Sequence, residues 1–182
     1  MFDKILARLA VTLSESNLPY MIIGGQAVLL YGEPRLTKDI DITLGVGVDH
    51  LGTLLQAIKK IPLEALPDDV TAFVGQTMVL PAVNDSTGIR VDFIFSFTLY
   101  ESQAIKRANP VKILGQDVYF ASIEDLIIHK IFSGRPRDFE DVRTVMLKNK
   151  NIDTQYIETW LREFDDFAEE KKFLSSFGAL LK

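Results

Sequence analysis

The sequence predicts an α/β (α+β) fold in which strands and helices alternate and a helical lobe closes the chain. Three observations predict it. Short apolar or alternating runs that read as strands (20–23, 40–44, 89–96) are separated by segments with helical spacing. Paired glycines and proline-bearing loops fall where the spacing changes. From 153 onward Tyr156, Ile157, Trp160, Leu161 and Phe164, then Phe173, Leu174, Phe177 and Leu181, recur at helical intervals. Residues 1–120 form the predicted core, and 121–182 a helical lobe completing the same structural unit.

Each element has a local cause. In 3–16, Ile5, Leu6, Leu9 and Leu13 share one helical face and Asp3 is placed as a cap; Asn17 and Pro19 then end the helix. A buried strand over 20–23 runs into the Gly24-Gly25 turn, a short helix over 26–31, a loop, and a second strand over 40–44. Gly45-Val46-Gly47 turns the chain, and Asp49 caps a helix reaching Lys60 with Leu51, Leu54, Leu55 and Ile58 inward. A proline-bearing loop over 62–69 leads to strands at 70–74 and 78–83 and a turn at 84–88. In 89–96, Ile89, Val91, Phe93 and Phe95 face one way, and Arg90, Asp92 and Ile94 the other. A helix over 98–108 and a hairpin of 111–114 with 118–120, turning at Gly115-Gln116-Asp117, follow. Ser122 then caps the helix of ASIEDLIIHKIF.

Composition narrows the function. With 182 residues, 47% of them hydrophobic, the chain can bury a core without cross-links. It contains no cysteine, which excludes a disulfide framework and a thiolate metal site. His50 and His129 lack the acidic neighbours of a zinc helix. No apolar run approaches the roughly 20 residues a membrane span needs, and the N-terminal MFDKILARLA carries no secretory core, so the expected location is cytoplasmic. A net charge of −5 argues against a protein that binds nucleic acid over its whole surface. A local basic groove is compatible with it, because Lys130, Arg135, Arg137, Arg143, Lys148 and Lys150 outnumber the acids of 129–150.

Two stretches carry chemistry. The Gly24-Gly25 turn lets backbone N–H groups approach a ligand, and a helix starting there aims its positive dipole end at an anion such as phosphate. Asp39 and Asp41, two apart on a strand, project to one face and repel each other unless a cation lies between them. Asp92 interrupts an apolar strand, where a carboxylate is costly unless paired or metal-bound. Three hard oxygen ligands of this kind suit Mg²⁺ or Mn²⁺. On the 122–133 helix, Lys130 falls inside the apolar sector; by itself that position favours a stem that packs and snorkels to water.

Ile23-Gly24-Gly25, a thirteen-residue spacer and Asp39-Ile40-Asp41-Ile42 resemble the signature of the nucleotidyltransferase superfamily, whose members are similar to DNA polymerase β. Tyr31-Gly32, Arg35 and Thr37 before the Asp pair look most like the AbiEii-type nucleotidyltransferases, many of them toxins of toxin–antitoxin or phage-defence loci. That group also carries a Lys on a helix after a Ser/Thr-x-Glu-Asp-Leu segment, then an Arg-rich stretch with an acid, matched here by Lys130 and by Asp138 in RPRDFEDV.

The resemblance covers about 20–142 and implies a mixed β-sheet flanked by helices, with Asp92 as the third carboxylate. It implies two-metal transfer of an NMP from an NTP to a hydroxyl of RNA (tRNA), protein or a small molecule. Asp39, Asp41 and Asp92 would hold the ions and Gly24 and Gly25 the β/γ-phosphates. Arg35 and Lys130 would neutralise charge on the triphosphate, with Thr37 and Asp138 beside them; Arg35 has an alternative as a bridge to a carboxylate that fixes the loop. A cognate antitoxin would be a partner. Two rival readings share the fold: a catalytically weak binding module, and a small-molecule nucleotidyltransferase of the aminoglycoside-modifying type.

Overall fold

The computed structural model describes residues 2–169 and 172–181; residues 170, 171 and 182 of the predicted lobe lie outside them. The chain divides into two compact units, Met1–Gln26 with Thr37–Ala121, and Ala27–Leu36 with Ser122–Lys182. The ten residues from Ala27 thus group with the C-terminal helices, although the sequence places them in the core.

The first unit is built on a seven-stranded mixed sheet. Its elements are α1 (Phe2–Glu15), β1 (Tyr20–Ile23), the start of α2 (Gly24–Tyr31), β2 (Asp39–Leu44), a 3₁₀ turn (Val48–His50) and α3 (Leu51–Ile58). There follow β3 (Glu64–Ala65), α4 (Val70–Thr77), β4 (Val79–Asn84), β5 (Ile89–Phe95), α5 (Leu99–Lys106), β6 (Asn109–Ile113) and β7 (Gln116–Phe120). The strand order is β3-β4-β5-β2-β1-β7-β6. β2 pairs with β5, and β1 with β7, in parallel; the other pairings are antiparallel.

The central β2–β5 pairing is fixed by its apolar face. Ile40 lies beside Val91, Ile42 beside Phe93 and Leu44 beside Phe95, all essentially excluded from water. A slip of β2 by one residue would turn Ile40, Ile42 and Leu44 to the opposite face and bring Asp39 and Asp41 into the core. α1 packs on β7, β6 and α3 through fully buried Leu9 and Leu13, matching its apolar stripe.

Five readings of the sequence need correction in this unit; two are caps, since Asp3 lies within the first turn of α1 and Asp49 within the 3₁₀ turn, so neither caps its helix. Residues 70–74 are not a strand but the first turns of α4. Asp69 accepts from the Ala72 N–H at 2.9 Å as its N-cap, and Met78, at φ 60°, closes it in the left-handed conformation. Only Val74 of α4 is buried, so the run of β-forming side chains has no sheet to join. The loop over 62–69 contributes the short edge strand β3. The last hairpin turns at Leu114-Gly115, with φ of 49° and 82°, rather than at 115–117. Two consecutive left-handed residues match the twist of a tight hairpin.

The second unit contains the end of α2, then α6 (Ile123–Ser133), α7 (Pro136–Lys148), α8 (Thr154–Phe167) and α9 (Phe173–Leu180). Ser122 caps α6, its Oγ accepting from the Asp125 N–H at 3.1 Å and its hydroxyl donating to Asp125 Oδ2 at 2.6 Å. The Tyr156 hydroxyl donates to Asp125 Oδ1 at 2.9 Å, so this fully buried carboxylate is satisfied from two helices. Left-handed Gly134 (φ 65°) ends α6, and Pro136 at the first turn of α7 restarts the chain in a new direction. Asp165 of α8 accepts the backbone N–H groups of Lys172, Phe173 and Leu174 at 2.8–3.1 Å, which caps α9. Among the described residues no helix is long and apolar enough to cross a membrane.

Candidate active site

The sheet of the first unit carries a row of charges on the face opposite its apolar ladder. Alternation along β2 puts Asp39, Asp41 and Thr43 on that face, and along β5 it puts Arg90, Asp92 and Ile94 there. Register then sets the neighbours: Asp41 lies directly beside Asp92, and Asp39 beside Arg90. Strands about 4.8 Å apart hold these pairs close, although about fifty residues separate them in the chain. Arg90 Nε donates to Asp92 Oδ1 at 2.8 Å. That bond, with the added fields of Asp92, Asp39 and Asp41, raises the pKa of the guanidinium. As the side chains stand, no three acidic or histidine groups among the described residues are gathered to hold a metal ion.

The glycine turn meets the same face. Ile23 pairs with Asp41, and Gly24 follows at φ +62°, a backbone conformation that disfavours a side chain. A Cβ built on Gly24 would stand 1.9 Å from Asp41 Oδ2. Glycine is therefore required twice, by its backbone and by the carboxylate lying over it. Gly25 is buried in the first turn of α2. Next to it Gln26, 7% exposed, has an amide nitrogen with no partner among the described residues. The Thr37 hydroxyl donates to the Asp39 carbonyl at 3.4 Å and so belongs to the approach to β2.

The remaining sequence candidates meet in the second unit. Lys130, 6% exposed on α6, donates to Asp138 Oδ1 at 2.7 Å and to Asp141 Oδ2 at 2.8 Å, both on α7. Arg135 Nε donates to Asp138 Oδ2 at 2.8 Å. Arg35 reaches Asp141 as well, its Nη2 donating to Oδ2 at 3.1 Å. The bridge from the loop to a carboxylate is thus made, and Lys130 is buried rather than snorkelling. For Asp138 burial works to raise the pKa, but hydrogen bonds from Lys130 and Arg135 outweigh it and hold the carboxyl below its ordinary 3.8. The network anchors 27–36 to α7, helped by Lys148 donating to the Gly32 carbonyl and Asn149 to that of Tyr31.

Residues 2–175 match the family model described as a nucleotidyltransferase of unknown function (DUF6036). The chain belongs to this family. Its solved neighbours are nucleotidyltransferases too. ANT(2″)-Ia, in a complex with adenylyl-2″-tobramycin, is 18% identical over 91% of this chain and 98% of its own, with a TM-score of 0.60. An antigenic nucleotidyltransferase-like protein from Paracoccidioides brasiliensis is 21% identical over 90% and 87%, with a TM-score of 0.57. The lincosamide antibiotic adenylyltransferase LnuA, lincomycin-bound, is 15% identical over 75% and 91%, with a TM-score of 0.51. These likenesses establish the nucleotidyltransferase fold. No curated protein sequence matches the chain.

Reading this nucleotidyltransferase from sequence misses three residues. Arg90 is legible only once Arg-x-Asp on a strand is seen to place the two side chains on one face. Asp141 is signalled by its spacing of three from Asp138, which on a helix gives one shared face. Gln26 had no signal beyond its place after the glycines. Two expected results follow. Gly24→Ala should lose about 1–2 kcal/mol from the left-handed backbone alone and should also push Asp41 from its position; urea melts and transfer assays check both. Asp138, with a lowered native pKa, contributes stability that is complete above the ordinary 3.8 and lost as pH falls through the native value. Acid titration of wild type against Asp138→Asn should therefore converge only below that ordinary value.

Proposed function

We propose that this nucleotidyltransferase moves an NMP from an NTP to an acceptor hydroxyl at the face formed by Asp39, Asp41 and Asp92, floored by the Gly24-Gly25 turn. The observation that carries this reading is the side-by-side register of Asp41 and Asp92 on neighbouring parallel strands, with Gly24 against the Asp41 carboxylate. The chemistry of the donor set suits a hard divalent ion, since Asp39, Asp41 and Asp92 offer carboxylate oxygens from neighbouring strand positions. Mg²⁺ or Mn²⁺ bound there would supply charge stabilisation for the attacking and leaving oxygens.

The chain's own residues do the rest. Asp39 and Asp41 would hold such an ion, and backbone N–H groups of Gly24 and Gly25 would hold the terminal phosphates of the NTP, with the orphan Gln26 amide as a further donor. Asp92 accepts the proton of the acceptor hydroxyl as that oxygen bonds to the α-phosphorus. The bond from the α-phosphorus to the bridging oxygen breaks, and pyrophosphate leaves. Thr37 fixes the start of β2, while Lys130, Asp138 and Arg35 order the segment entering it. RNA (tRNA), protein and small-molecule acceptors, and the toxin role suggested by the AbiEii-like motifs, are finer readings that one assay separates. The protein is incubated with each labelled NTP, Mg²⁺, and RNA, lysate protein or an aminoglycoside in turn, and the labelled product is resolved. No label transfer in any arm would leave the nucleotide-binding module as the better account.

A further inference from the structure

On β5 and β2 the charged face is a block of four paired positions, three negative and one positive. Arg90 lies beside Asp39 in register, and Asp92 lies beside Asp41. Two residues apart on β5, Arg90 and Asp92 stand on one face, and the bond between them is 2.8 Å. The Arg90 side chain is 48% exposed and that of Asp92 is 20% exposed, so the positive group approaches from the solvent side of the carboxylate.

We propose that Arg90 is an internal counter-ion of this face and that its guanidinium has to leave Asp92 before both oxygens of that carboxylate can hold a divalent ion. The inference rests on the metal-dependent reading above. Two strand neighbours with like charge repel, and a nearby cation stabilises carboxylates set side by side on one face. Arg90 supplies it without any ion. While the Arg donor points along Oδ1, a divalent ion can reach Asp92 only through Oδ2, so it cannot be held by both oxygens until the guanidinium moves away. Displacement is cheap: an exposed ion pair is weak, so its removal should alter ion affinity by about fivefold. Once displaced, the guanidinium remains tethered one face position from Asp92, about 6.6 Å along the strand, where it faces incoming polyphosphate.

The test measures Mn²⁺ binding without nucleotide, from the free-ion signal in electron paramagnetic resonance. Arg90→Gln should bind Mn²⁺ about fivefold more tightly than wild type. Lys38→Gln, which removes an exposed positive charge beside Asp39 in sequence, controls for general electrostatics and should change affinity less than twofold. A second readout follows the Arg90 Nε–H resonance, assigned by its loss in Arg90→Gln; it should move when wild type is titrated with Mg²⁺. Equal binding by wild type and Arg90→Gln, or an Nε–H resonance that stays put while Mg²⁺ binds, overturns the inference about Arg90 alone. If neither protein binds Mn²⁺, with or without NTP, the metal-dependent function itself fails.

Discussion

Asp41→Asn should reduce transfer by at least about 10²–10³-fold, the scale of losing one preorganised charge-stabilising group, while the protein keeps its secondary structure and melts no earlier. The first half follows from position: Asp41 is central to the face, beside Asp92 and over Gly24. The second follows from charge, since replacing a carboxylate that stands beside Asp92 with an amide removes a like-charge strand neighbour. Asp39→Asn should behave alike with a smaller thermal effect, because Asp39 is the exposed end of β2. Circular dichroism and label transfer measured on the same preparations check this. Full Mg²⁺-dependent activity in either variant would remove the aspartate from the site.

Lys130→Met should be the most destabilising single substitution among the residues discussed, at about 3–5 kcal/mol, because it strips the shared cation from two buried carboxylates. From sequence the same change looks mild, since methionine keeps the stem that an apolar sector needs. The structure reverses that expectation: Asp138 and Asp141 are both buried and both depend on the ammonium. Arg135 and Arg35 would still neutralise one carboxylate each, which sets the effect at a loss of stability rather than complete unfolding. Adding Asp138→Asn to Lys130→Met should recover part of the loss, and a double-mutant cycle by urea melts measures how much. Additive effects of the two changes would mean that the pair is not coupled.

How far the sequence can be read depends on whether a residue's partner lies nearby. α1, β1, β2 and β5 follow from local spacing, and α6 from its cap as well, with Ser122 accepting from the Asp125 N–H. α4 does not. Val70, Thr71, Phe73 and Val74 favour a strand one by one, and the Asp69 cap that overrides them is a single side chain. The placement of Asp92 on the strand beside β2 came from a family pattern rather than from spacing, because parallel pairing leaves no local mark. Arg35 and Lys130 are visible as cations in the sequence, but their carboxylate partners are not. Asp141 lies 106 residues from Arg35, and only the packed second unit brings them together.

The parallel pairing of β2 with β5 also bears on when the protein can first work during its own synthesis. β2 ends at Leu44 and β5 at Phe95, with a 3₁₀ turn, two helices and two other strands between them. A growing chain therefore carries Asp39 and Asp41 for some fifty residues before Asp92 is made, and β2 cannot complete the site with any strand available earlier. Closing so long a loop to form a parallel pair is intrinsically slow. The proposed acidic face is thus a late product of folding, and a ribosome-bound chain halted before residue 92 would hold two of its three carboxylates on a strand whose β5 edge has no partner.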